Sequence, residues 1–529
     1  MTVHRTERLR VAGNTCYDHL GHGFFLEDGA ETENVLEGNL GFRTREPADA
    51  DRLLPSDGNP ATFWITNPDN AVRGNVAGGS DGLEFWYALP EHPTGLSGQQ
   101  ATAGSTWPRR TPLGEFSGNV AHSNAGDGLH VDSGPRPDGT TESAYYEPHV
   151  NPADRDSAPV EARFDRLAAY KNRNRAVWLH GEDHRVDGAV LADNGIGATF
   201  ASDRSVLSRS LVVGETANRG TPYSWEVSGG RVGVDGRSLP RPWDRNFPIR
   251  GFEFYDGRVG AEDTAFVGYT PNSLREASGL GFLLANAFNL HPRNYARALR
   301  FVDAKRVYLP SPAAGKDGDA SSMFVDQDGS VTGTANAVVT ANNPFLAAPA
   351  CLDRAGSLNA DWNAYVCEPT AYASVAVGTG DGDPAHIKPV RLTRLEDGKV
   401  QTLWGSNSDS TSAYSTILPG RDYGVDYAGG TPQRLRFVLF NGSGKWALLS
   451  VPYPVRPKVT KWGCDLAGTS WCRGGAATSL ADLRAKDRSS FWYDAGAQRL
   501  HLKVFAVDPW EPTKAVDWEE LKVEPAAAG

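Results

Sequence analysis

Short apolar runs broken by Gly, Asn and Asp recur through the first half of the chain. The run GNVAGGSDGLEFWY (Gly74 to Tyr87) is echoed by GNVAHSNAGDGLHVD (Gly118 to Asp132), AYKNRNRAVWLHG (Ala169 to Gly181) and LADNGIGATFA (Leu191 to Ala201). In each, an apolar strand meets a polar turn containing Asn, then Gly or Ala, then a second strand of alternating side chains. An earlier copy is VAGNTCYDHLGHGFFLED from Val11, and later ones start at Arg209 and Ile249. Repetition of this kind predicts a coiled stack of strands, a right-handed parallel β-helix, with Asn side chains in ladders at the corners. Asn172 and Asn194 lie one coil apart on this reading, and longer gaps such as Glu91 to Glu115 are loops thrown out from the coils to wall a groove.

From about Ala313 the pattern changes. After Cys367, blocks such as ASVAVGTG, LRFVLFNGSG and KWALLSVPYPV alternate and stop at Gly or Asn turns, as sandwich strands do. The expected division is therefore a β-helix over 1–312, a β-helix end and connecting segment over 313–380, and a β-rich domain of antiparallel, sandwich-like strands over 381–529. One short helix is expected, SLADLRAKD after Thr478.

Composition narrows the partners. The 58 Gly among 529 residues fit many tight turns, and the formal net charge of -11 disfavours a nucleic-acid binder. An acidic chain meets a polyanion only through a local basic cleft. No apolar run is long enough to span a membrane. The N-terminal residues carry no signal-peptide core and read as the middle of a β-structure. By spacing, Cys351 pairs with Cys367 and Cys464 with Cys472, leaving Cys16 free, which suits an oxidising compartment.

Three constellations could carry chemistry. In HSNAGDGLHVD, His122, Asn124, Asp127, His130 and Asp132 fall within one coil, and His130 and Asp132 share a strand face. Glycosidic cleavage needs a proton donor and a second carboxylate, and this cluster offers both, although a structural Asx turn uses the same residues. Asp193 and Asn194 lie one coil beyond YKNRNRAVW, where Lys171, Arg173 and Arg175 can pair with uronic carboxylates and Trp178 can stack on a sugar ring. Farther on, Arg250 and Asp256 stand near a coil end. In GHGFFLEDGAE, His22, Glu27, Asp28 and Glu31 make an acidic cluster that could hold calcium.

These segments together carry a resemblance. GHGFFLEDGAETENVLEGNLG, TFWITNPDNAVRGNVAGGS, GNVAHSNAGDGLHVD, AYKNRNRAVWL, LADNGIGAT, NFPIRGFEFYDG and FVDQDGSVTG stand in the order seen in the family of the cell migration-inducing and hyaluronan-binding protein and the cell surface hyaluronidase (transmembrane protein 2). The resemblance runs from about Asn14 to past Tyr453. It implies a parallel β-helix, hyaluronan or a similar acidic polysaccharide as partner, an extracellular site and calcium-dependent hydrolysis. The family's G8 domain, which lies on the N-terminal side of this region and holds residues important for activity, is not found in this sequence. Endo-hydrolysis of hyaluronan by a monomeric secreted protein is the leading expectation. A polysaccharide lyase on the same scaffold and a non-catalytic binding module are the alternatives.

Overall fold

The structure, a computed structural model, describes residues 1–216, 248–271, 276–379, 389–405, 411–468, 475–508 and 510–526. The chain forms two compact units, Met1–Phe282 with Tyr295–Tyr308, and Leu283–Asn294 with Leu309–Gly529. The stretch 313–380, set apart in the sequence reading, thus lies wholly in the second unit.

The first unit is a parallel β-helix with three faces. Among the described residues its first face stacks nine strands, including Phe24–Leu26, Ala61–Ile65, Leu83–Tyr87, Leu129–Val131, Arg175–Glu182, Ile196–Asp203 and Ile249–Phe254. Each coil then turns to a second face, represented by Val35–Glu37, Ala71–Arg73 and Glu115–Ser117, and to a third, represented by Leu40–Arg45, Val76–Gly78 and Val120–His122. Neighbouring strands within each face pair in parallel, as Phe85 with Leu129 and Val120 with Ala168 show. Inward side chains stack like on like: the rings of Phe24 and Phe63 lie 4.6 Å apart and those of Phe63 and Phe85 4.8 Å.

The corners explain the Gly-Asn signature. The residue two positions before each third-face strand has positive φ: Gly13, Gly38, Gly74 and Gly118, then Arg166, Gly188, Arg209, Asp263 and Ala298. Nothing lies within 4 Å of a Cβ built on the first four, so glycine is favoured there by backbone conformation and not by space. The following Asn residues form a buried ladder. Asn39 Oδ1 accepts from Asn14 N at 3.0 Å, Asn75 Oδ1 from Asn39 N at 3.0 Å, and Asn119 Oδ1 from Asn75 N at 3.0 Å. A second ladder passes from Asn34 to Asn70, and a third joins Asn124, Asn172 and Asn194.

The second unit begins with short antiparallel strands, Met323–Asp326, Ala337–Ala341 and Ala364–Cys367, beside which Cys351 and Cys367 form a disulfide. Two six-stranded sheets follow. One is built around Ala373–Thr379, Leu435–Phe440 and Trp518–Pro525, the other around Val390–Arg394, Asp422–Tyr427 and Trp446–Pro452. Val375, Phe437 and Val523 from the first sheet share one core with Leu392, Val425 and Leu449 from the second, which makes a β-sandwich. The expected helix is Leu480–Ala485, capped by the Ser479 side chain. Cys472, the expected partner of Cys464, lies outside the described residues.

Candidate functional site

Outward side chains at one register of the first face form a column: Phe25, Trp64, Trp86, His130, Trp178, Thr199 and Glu253. The period of two that sends Phe63, Phe85 and Leu129 into the core sends these outward. Trp64 and Trp86 meet edge to face at 4.7 Å, Trp86 and His130 at 5.8 Å, and His130 stacks toward Trp178 at 6.4 Å. The column is covered at Trp64 and Trp86 and again at Thr199 and Glu253, and opens between them at His130 and Trp178.

Around Trp178 stand two histidine–carboxylate pairs. Asp127 Oδ2 lies 2.9 Å from His130 Nδ1, while its Oδ1 accepts from Arg175 N at 3.0 Å. Asp132 Oδ1 lies 3.1 Å from His180 Nδ1 and accepts from Ala144 N at 2.9 Å, and its Oδ2 accepts from Trp178 Nε1 at 3.1 Å. Burial alone would raise the Asp132 carboxyl, but the hydrogen bonds from His180 and Ala144 N outweigh it and hold the group well below the usual carboxylate range. The opposite holds at Asp256. The residue is solvent-exposed, and desolvation by the protein around it raises its carboxyl against the pull of Gly257 N and of nearby His180. Tyr255 completes the floor with its ring 5.9 Å from Trp178, and burial raises its hydroxyl to about 12. On the rim, Arg204 pairs with Glu182, Asp183 and Asp203, which removes acidic charge from this side of the cleft.

The sequence-predicted residues divide. His130, Asp132, Trp178 and Arg175 are brought together on the first face, with Asp127 at the corner leading to it. His122 is not among them: it lies on the third face, stacked on Tyr170 at 4.8 Å, because the corner at Asn124 separates the two strands. Lys171 belongs to that same corner and its charge is felt by His122, while Arg173 N donates to Asn124 O. Asp193 turns away from the cleft to accept from Thr216 N and Oγ1, each at 2.7 Å, and Asn194 is committed to its ladder. Arg250 is fully buried, set against Glu253 at 2.5 Å and donating to Phe282 O. Arg175 lies over the Trp178 ring at 4.8 Å and donates to Thr199 Oγ1.

The expected calcium cluster also separates. His22 is buried against Trp64, accepts from Ala61 N and meets Ser56 Oγ, and burial lowers it to about 4. Glu27 stands 2.5 Å from His4 instead. Asp28 groups with His4 and Glu31. Sequence reasoning missed His180 and Tyr255. His180 was within reach, because the alternation that points Trp178 outward continues through His180 and Glu182 on the same strand.

An aromatic surface with carboxylates of opposed acidity, set on one face of a coiled parallel stack, defines a β-helix protein with a polar site on that face. Residues 1–129 match the CEMIP beta-helix family. Across 86% of its length the chain is 33% identical to the cell surface hyaluronidase CEMIP2 of Homo sapiens, covering 36% of that protein. It is 31% identical to the cell surface hyaluronidase of Danio rerio over 95% of the chain and 39% of the relative, and 31% identical to the cell migration-inducing and hyaluronan-binding protein of Homo sapiens over 86% and 36%. The chain belongs to this CEMIP family. It spans little more than a third of the length of these relatives.

Proposed function

We propose that the first-face cleft binds an acidic polysaccharide of the hyaluronan kind outside the cell and hydrolyses it within the chain. The observation that carries this reading is the pair of carboxylates held apart in acidity, Asp256 raised and Asp132 lowered, both within the electrostatic reach of His180, which Asp132 contacts at 3.1 Å. Groups whose surroundings push their acidities apart divide the work of acid and base. Asp256, whose carboxyl is raised above the usual carboxylate range, is assigned the role of acid, donating a proton to the glycosidic oxygen as the bond breaks. His180, oriented by Asp132, takes a proton from the attacking water. Trp178 and Tyr255 offer ring faces to the sugars. The names of the relatives, which speak of hyaluronidase and hyaluronan binding, supply the substrate class.

The test is to incubate the protein with high-molecular-weight hyaluronan and size the products. Shortened chains with saturated ends are expected from the wild type, and Asp256→Asn and His180→Ala should each slow cleavage by about 100-fold or more while retaining binding. Ultraviolet-absorbing unsaturated ends would replace hydrolysis with lyase chemistry. Binding without shortening would reduce the cleft to a binding site, and full activity in Asp256→Asn would remove Asp256 from the mechanism.

A further inference from the structure

Away from the cleft floor, the start of the β-helix holds a compact group of ligand-type side chains. One nitrogen of His4 and one carboxylate oxygen each from Asp28 and Glu31 lie within 4.8 Å of one another. Asp28 is 2% exposed and Glu31 0%. Asp28 Oδ2 accepts from Ser97 N at 3.0 Å, but its Oδ1 is buried with no hydrogen-bond partner. Glu31 accepts from three backbone N–H groups, those of Arg5, Asp28 and Gly29. Two carboxylates packed together away from water, one with an oxygen unspent, require a positive charge or a proton between them.

We propose that His4, Asp28 and Glu31 form a binding site for a divalent cation of the zinc or manganese type. The donor set decides the class: one imidazole with two carboxylates suits a borderline transition ion, whereas calcium takes oxygen ligands in greater number. In this site Glu27, 2.5 Å from His4 Nδ1, is the carboxylate positioned to orient the histidine. The ion joins three segments distant in sequence. His4 follows the first strand, Thr2–Val3; Asp28 and Glu31 stand in the turn after the next strand of that face, Phe24–Leu26; and Asp28 holds the 88–114 loop through Ser97 N and, by its backbone oxygen, Thr94 N. Its role is therefore to clamp the first two coils and to anchor that loop, without taking part in chemistry at His180.

The test uses the whole chain, stripped with chelator and then titrated with zinc, manganese or calcium at neutral pH, following unfolding temperature and bound metal by elemental analysis. Zinc or manganese should bind at a single site and raise the unfolding temperature by several degrees, calcium much less. Asp28→Asn should abolish the binding, and His4→Ala should weaken it by about 10-fold or more. Because Asp28→Asn also relieves the repulsion with Glu31, it should fold normally by circular dichroism. Equal metal response in wild type and Asp28→Asn would overturn the proposal. So would a wild type that binds no metal yet is stabilised by acidification through Asp28 and Glu31, which is the behaviour of a shared proton.

Discussion

Three histidines, one of them half-buried, and the buried Glu84 set opposite demands on pH. Glu84 is enclosed in the β-helix, accepting from Thr62 Oγ1 and Ser80 N, and burial pushes its carboxyl from 4.5 up to about 8. The folded chain therefore holds a proton that the unfolded chain releases, and this stabilisation, complete below pH 4.5, is lost as pH rises toward 8. Burial lowers His19 and His22 from 6.5 to about 4 and His184 to about 3, so these are neutral when folded. Their contribution is present above pH 6.5 and lost as pH falls toward 4. Thermal denaturation across pH should show greatest stability near pH 6.5, and Glu84→Gln should flatten the fall from there toward pH 8 and steepen the rise between pH 4.5 and 6.5. A separate prediction concerns Trp178, whose indole both floors the cleft and donates to Asp132. Trp178→Phe keeps a ring but loses the donor, so it should cut turnover more than hyaluronan affinity, whereas Trp178→Ala should lose both; equal losses of each in the two variants would separate Trp178 from Asp132.

At the level of the coil, the corner carries the stability. Asn119 accepts from Asn75 N and Nδ2 and donates to Val72 O, all buried, so Asn119→Ala strands several polar groups. It should cost about 3 kcal/mol, read as a shifted denaturation midpoint. Gly118→Ala meets open space but keeps φ at +61°, and should cost only about 1 kcal/mol. The sequence made these corners visible where Gly and Asn stand together, at 13–14, 38–39, 74–75 and 118–119. Farther along, the same turn is made by Arg166, Arg209, Asp263 and Ala298, and the ladder passes to hydroxyls, with Ser210 Oγ accepting from Ala189 N at 3.0 Å and Thr264 Oγ1 from Ser210 N at 3.4 Å. No composition rule flags a hydroxyl ladder, so this corner of the later coils was not legible, although their other corner showed in Asn172 and Asn194. The site was half legible for a related reason. Period two placed His130, Asp132 and Trp178 on one face, but the placement of His122 depends on a corner whose direction local pattern does not specify.

For the molecule as a whole, the division into units was visible in outline but its seam was not. Residues 283–294 belong to the second unit, where Asn286 N donates to Asp319 Oδ1 and Asn289 Nδ2 to Ser374 Oγ, contacts too distant in sequence for a local pattern to reveal. The Cys351–Cys367 bridge closes a loop of 16 residues in that unit and should contribute about 3 kcal/mol. Calorimetry of Cys351→Ala with Cys367→Ala should therefore lower the transition of the second unit and leave that of the β-helix in place. Within the β-helix, ladder partners are separated by 25, 36 and 44 residues, yet every step closes at 3.0 Å. The spine thus indexes storeys and ignores how much chain each storey contains. Segments projecting between the first and second faces are free to lengthen, shorten or be exchanged while the stack keeps its register, since closing a longer loop adds little entropic cost. The cleft wall can consequently diversify at a pace of its own, with new ligand preferences grafted onto an unaltered staircase.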